Sequence, residues 1–312
     1  MLPVTSLMRG YVVMLGILAA SWGASYLFIK VAVEDLEPAP MMCLRLVLAF
    51  AALFPVLVYA SGFRGAVSGI RETGRGGALL GLINMAVPFT LIAWGEKHVD
   101  SGVAAIANST VPIFVALLAI RFRPSERVRG MRLFGVVLGL VGVGVLTGLN
   151  PDGGWWAIAG TLAVVLASLS YAAANLYAPA RFSDTSPLLV SATTTFWATV
   201  ILIPFALLQW PDHMPSWKAL GSVAALGLLG TAFATLILYR MLNEYGSSRT
   251  SLVTYLLPPM ALFYGVTILG EQIHLNAALG LVLILAGVAL GSGLFQLVGR
   301  GRDETAPATP SA

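Results

Sequence analysis

Charge is what this chain has least of. Only 10% of its 312 residues are Asp, Glu, Lys or Arg, where a soluble domain carries about a quarter, so a water-exposed globule is excluded. Cysteine is limited to Cys43, which rules out an internal disulfide and leaves the redox compartment unreadable. The three histidines, His98, His213 and His274, fall in separate loops, so no zinc cluster or Cys/His nucleophile pair has a recognisable spacing. A glycine-rich phosphate loop is also missing. No catalytic residues, metal or cofactor are therefore expected. A membrane-embedded enzyme or sensor stays open as a rival reading, but it lacks a titratable cluster. The net charge of +4 is too small and too scattered to suggest nucleic acid.

Apolar residues fill the space that charge leaves. They make up 58% of the chain, and mean hydropathy is +0.86. Continuous apolar stretches of about twenty residues, the length that crosses a bilayer as helix, lie at 11–33, 40–60, 77–94, 102–120, 131–149, 155–178, 187–208, 218–239, 250–269 and 275–298. Alternating ten-residue segments, the mark of a membrane barrel, are absent. The expectation is an all-α integral membrane protein with ten transmembrane helices, the lipid bilayer being its first partner. Arg9 and the apolar run behind it imitate a signal peptide. However, Trp22–Phe28 aligns with Tyr171–Tyr177, so the first helix has a counterpart in the mature chain and should be retained.

That alignment is part of a larger one. Residues 81–112 overlay residues 227–258 without a gap, Gly81 meeting Gly227 and Pro112 meeting Pro258. Further on, Glu126-x8-Gly135-x6-Gly142-Val143 recurs as Glu271-x8-Gly280-x6-Gly287-Val288. The chain therefore reads as two five-helix repeats, 1–149 and 150–298, with a disordered tail at 299–312. The loop arginines set orientation. Arg9, Arg64, Arg71, Arg75, Arg121, Arg123, Arg127, Arg129, Arg132, Arg181, Arg240, Arg249, Arg300 and Arg302 all fall on one side, against Lys30, Lys97 and Lys218 on the other. Positive residues mark the cytoplasmic face, so both termini should be cytoplasmic. Five helices per repeat then make the second half inverted. Inverted halves are the usual construction of secondary transporters, which expose one central site to each side in turn.

Trp22-Gly23-x-Ser25, Lys30, Arg45, the Pro112 and Pro258 positions, and the Glu126 and Gly270-Glu271 loops resemble the ten-helix EamA-type branch of the drug/metabolite transporter superfamily. The resemblance covers residues 11–298, and the first copy departs from the pattern with Ser125 where a glycine usually precedes the glutamate. It implies export of small metabolites across the bacterial inner membrane, with YddG-like amino-acid exporters among its members. The solute is thus expected to be an amino acid or a related amphipathic molecule. A proton-coupled multidrug or toxic-cation exporter is the alternative.

Polar groups inside a bilayer are costly and face the bundle interior, so they mark where a solute would sit. Asn84, Asn108, Thr231 and Thr254 are candidates for substrate binding, with the deep aromatics Trp22, Tyr26, Tyr171 and Tyr255 and, as the repeat partner of Tyr26, Asn175. Asn108 and Thr254 stand four residues before Pro112 and Pro258, expected helix breaks that free a carbonyl. Against this, each could simply bond a neighbouring helix across a kink. Trp94 and Tyr239, near span ends, read as aromatic belts. Arg45 is the basic residue well inside a span; it could bind a substrate carboxylate through its planar fork or snorkel to the surface in a structural role. Glu271 is expected to cap the last helix, as Glu126 does opposite. With Glu96, Glu244 and Glu271 all at loop ends, a facilitator is favoured over strict proton exchange. Gly135, Gly139, Gly142 and Gly144, like Gly287 and Gly291, read as close helix contacts, within the chain or across a homodimer.

Overall fold

The computed structural model describes residues 4–122, 130–147, 154–250 and 252–291; Glu126 and the tail lie outside them. Every regular element among the described residues is a helix. Six helical stretches are long and apolar enough to cross a bilayer: Arg9–Ala32, Pro38–Glu96, Ser101–Ala119, Gly154–Arg181, Pro187–Leu208 and Trp217–Tyr245. Leu133–Leu146, Val253–Leu269 and Leu275–Leu290 are shorter apolar helices. Large side chains such as Val12, Leu140, Leu162, Val200 and Val282 are exposed all around the surface, which suits lipid and not water.

The stretch Pro38–Glu96 covers two expected spans and the loop expected between them. Pro38 starts α2 (Pro38–Gly81), where its missing N–H costs nothing. The chain turns at Gly62 (φ 72°) and Gly74 (φ 44°), backbone settings open to glycine and strained for other residues. The connection between them stays helical and carries Arg64 and Arg71 on its exposed side. Beyond Gly81 comes one wide π turn, Leu82–Ala86, and then α3 (Val87–Glu96). The equivalent place in the second half has the same construction: α9 (Trp217–Gly227), a π turn at Leu228–Phe233, and a continuing helix to Tyr245.

Packing repeats as the sequence does. A Cβ on Gly81 would lie 2.9 Å from Ala198 N and 3.0 Å from Thr194 O of α8 (Pro187–Leu208). One on Gly227 would lie 2.7 Å from Arg45 O and 2.8 Å from Leu48 Cβ of α2. The two glycines let α2 and α8 each approach the other half. Likewise Met131–Thr147 packs on Leu275–Gly291, where Gly142 faces Ile284 and Gly287 faces the backbone of Gly139. Of the glycines expected at close contacts, Gly135, Gly139, Gly142 and Gly287 meet within the chain, whereas Gly144 meets nothing within 4 Å.

At one end of the bundle, the loops are tied together. Asp35 accepts hydrogen bonds from the Ser216 amide and from His213, and Lys97 pairs with Glu37 at 2.7 Å. The Ser216 amide first, then His213, lower the Asp35 carboxyl to about 2. A depressed carboxylate stabilises above its unfolded range and is lost only as pH falls towards that value, so Asp35 keeps its charge at any pH near neutrality.

Candidate functional site

Asn108 ends the helix Ser101–Asn108, and Pro112 opens the next, Val111–Phe122. Between them the hydroxyls of Ser109 and Thr110 donate back to Ile106 O (2.6 Å) and Ala107 O (2.7 Å). Pro112 cannot donate to Asn108 O. The Ser168 hydroxyl of α7 (Gly154–Arg181) lies 3.3 Å from that carbonyl and 3.2 Å from Asn108 Oδ1, with one proton to share. Asn108 Nδ2 donates to Tyr26 OH at 2.8 Å. The break is therefore real, and its polar groups join α1 (Val4–Ala32) to α7.

Arg45 is next to this junction and does not snorkel. It is 5% exposed, and its Nε donates to Thr231 Oγ1 at 2.9 Å. The guanidinium lies 3.9 Å over the Phe89 ring, and one further N–H points at Met42 Sδ, 3.8 Å away. Phe89 in turn meets Tyr171 edge-on at 6.5 Å between ring centres. Thr231 is part of the second π turn and also donates to Leu226 O. π turns widen a helix and often sit at functional places; here one lets a second-half threonine reach a first-half arginine. The remaining guanidinium N–H groups have no acceptor among the described residues.

Other expected site residues are placed differently. Asn84 lies half-buried in the first π turn and makes no side-chain hydrogen bond among the described residues. Trp22 packs with Leu18, Ala234 and Met260, away from Arg45, and Asn175 is exposed. Tyr255 and Thr254 are half-buried on the helix Val253–Tyr264. Pro258 is interior to that helix and does not break it. The helix starts only at Val253, so Thr254, four residues before Pro258, lies in its first turn.

Two carboxylates have surroundings that their positions in the sequence did not show. Glu271 does not cap the last helix. It accepts from Ser101 N (2.8 Å), Ser101 Oγ (2.9 Å) and Gly102 N (3.2 Å), capping the helix that ends at Asn108. Glu271→Ala is expected to lower stability by about 2 kcal/mol, since it removes a charged cap with several donors. Thermal unfolding in detergent reads this, and Glu271→Gln should lose less than half as much.

Glu96, expected at a loop end, is 0% exposed, and neither carboxyl oxygen has a hydrogen-bond partner. Lys30 lies across its helix terminus, donating to the backbone carbonyls of Glu96 (2.8 Å) and Val99 (2.7 Å). A cleft of about 400 Å³ opens beside it, lined by Lys30, Glu34, Asp100, Gly270, Glu271 and His274. His98 stacks on Trp156 at 5.1 Å and meets Trp94 at 4.7 Å. Partial burial, then the Lys97 and Lys30 charges, lower its pKa, so it is neutral near pH 7. Sequence reasoning missed Glu96 because nothing local distinguishes a span end in water from one roofed by Lys30 and the next helix.

The sequence pattern of the EamA-like transporter family matches residues 9–148 and again residues 158–293. The chain belongs to the EamA-like transporter family. As an EamA-like transporter it is a multi-pass membrane protein of a family of transporters. It is 29% identical over 291 residues to the uncharacterized transporter YoaV of Bacillus subtilis, covering 91% of this chain and 98% of that one. It is 28% identical to a probable amino-acid metabolite efflux pump of Salmonella typhimurium, over 86% of this chain and 89% of that one. The uncharacterized inner membrane transporter YedA of Escherichia coli is 25% identical, over 86% of each. A protein of known crystal structure shares the fold at a TM-score of 0.64, with 19% identity over 93% of this chain and 99% of that one.

Proposed function

We propose that this EamA-like protein is a secondary transporter of the bacterial inner membrane that exports amino acids or closely related metabolites. Ten helices in two inverted halves, 1–149 and 150–298, with both termini cytoplasmic, would work by alternating access. The doubled glycine contacts on α2 and α8 support the inverted halves, as do the paired family matches. Alternating access needs such equivalence, because the two halves exchange roles.

One observation carries the substrate class. Arg45 is buried where both halves meet, and its fork is only partly used, by Thr231 and the Met42 sulfur. A buried cation without an anion is unfavourable, and a carboxylate can take a guanidinium fork with two parallel hydrogen bonds. A solute carrying a carboxylate supplies what is missing. The relatives named as amino-acid metabolite efflux pumps agree with that chemistry. A purely cationic drug would meet repulsion from Arg45, which sets the multidrug alternative behind.

The test is counterflow in proteoliposomes with a panel of labelled amino acids and, separately, ethidium. Saturable exchange of at least one amino acid, with none of ethidium, is expected. Ethidium exchange without any amino-acid exchange would overturn the reading. Raised resistance of expressing cells to toxic amino-acid analogues checks the direction.

A further inference from the structure

Among the described carboxylates, Glu96 is the buried one without a donor. Glu271 has three donors, Glu37 has Lys97, Glu244 has Arg240 and Asp35 has Ser216. An ionised carboxylate in such a place carries a large desolvation penalty, while the neutral acid carries little. A buried carboxyl kept without any hydrogen-bond partner at the end of a span calls for a role. The groups acting on Glu96 come from every neighbouring element. Lys30 and Tyr26 belong to α1, Arg45 to α2 with Tyr171 of α7 beside it, and Glu271 to the segment before the last helix. Lys97, His98 and Asp100 follow in its own chain.

We propose that Glu96 is the proton site of the transporter, so that solute leaves in exchange for one proton moving inward. The inference rests on the transport reading above but not on the identity of the solute. Lys30 both lines the cleft and bonds the Glu96 backbone carbonyl, so the cleft is the route by which water would approach Glu96. On that side, the carboxylate takes a proton from water and becomes a neutral acid that can be buried. When the halves exchange conformations and water reaches Glu96 from the opposite side, the O–H bond breaks and the proton leaves to that water. Lys30, whose donors now hold two carbonyls of the same turn, can swing one of them onto the carboxylate while it is charged. One proton is bound and one released per cycle, with no redox change. A solute-driven facilitator, the expectation without a buried carboxylate, has no use for such a group.

Two measurements decide it. Infrared titration of the protein in lipid should show a carboxylic-acid C=O band that disappears as pH rises and that is absent in Glu96→Gln. The same band in the variant would overturn the proposal. In proteoliposomes, a pH gradient of one unit should drive up to about tenfold accumulation of the exchanged amino acid in a one-to-one exchange. Glu96→Gln should still equilibrate that amino acid without concentrating it, and Glu96→Asp should keep part of the coupling. Accumulation that ignores the gradient in wild type, or survives in Glu96→Gln, would overturn it. If no amino acid in the panel moves at all, the exporter reading fails, while the infrared titration still decides the proton site.

Discussion

Arg45→Met should abolish amino-acid exchange, lowering it about 100-fold or more, while the unfolding temperature stays level or rises. The two halves of that result have separate causes. Loss of the fork removes the partner of a desolvated carboxylate, a change that costs about 2–5 kcal/mol in buried charge pairs, or roughly two decades or more in affinity. Stability moves the other way because Arg45 is buried with no carboxylate hydrogen-bonded to it among the described residues, and replacing a poorly compensated buried charge by an apolar side chain of similar length is often neutral or stabilising. Methionine would keep contact with Phe89 and Met42 while leaving Thr231 its bond to Leu226 O. Arg45→Lys separates charge from geometry: a lysine retains the positive point but not the planar fork, so exchange should recover only in small part. Equal loss of exchange and stability in Arg45→Met would return this arginine to a structural role.

The residues that were legible in sequence are those whose chemistry conflicts with their own span. Arg45 and Asn108 stand out against apolar neighbours, and Pro112 announces the missing donor beside Asn108. Each of these is placed by the structure at or beside the junction of the two halves. What was hidden depends on partners far away in the chain. Glu96 reads as a span end until Lys30 is seen covering it, a relation across 66 positions. Glu271 looks like a cap for the helix that follows, whereas the amides it reaches belong to Ser101 and Gly102 in the other half. The π turns at Leu82–Ala86 and Leu228–Phe233 leave no mark in hydrophobic period, since one extra residue in a continuously apolar run changes nothing in composition. Trp22 and Asn175 are placed apart from that junction for the opposite reason. Repeat alignment paired each with a residue in the cluster, Tyr171 and Tyr26, but the halves have diverged there, and equivalent positions no longer face the same neighbours.

Gly287→Val should leave little folded protein, and Gly144→Ala should be slightly stabilised, although both glycines lie in similar apolar helices. A Cβ at 287 would lie 2.5 Å from Gly139 N, 2.6 Å from Gly135 O and 2.7 Å from Gly139 Cα. All three are backbone atoms of a helix, which cannot move aside as a side-chain tip can. The helices Met131–Thr147 and Leu275–Gly291 would have to separate along their length, losing the contact of Gly142 with Ile284 and of Gly280 with Leu146 as well. Within a bilayer this contact is close packing without hydrophobic drive, so a gap between the helices has nothing to offset it. A loss of about 4 kcal/mol or more is expected, at the extreme end for single substitutions. At Gly144 a Cβ meets nothing within 4 Å, and alanine in place of a helical glycine gains about 0.5–1 kcal/mol. Size-exclusion profiles and unfolding temperatures of the two variants in detergent measure the difference. A well-folded Gly287→Val at wild-type temperature would mean that these helices are not held against each other within one chain, and would reopen the glycine faces as a contact between protomers.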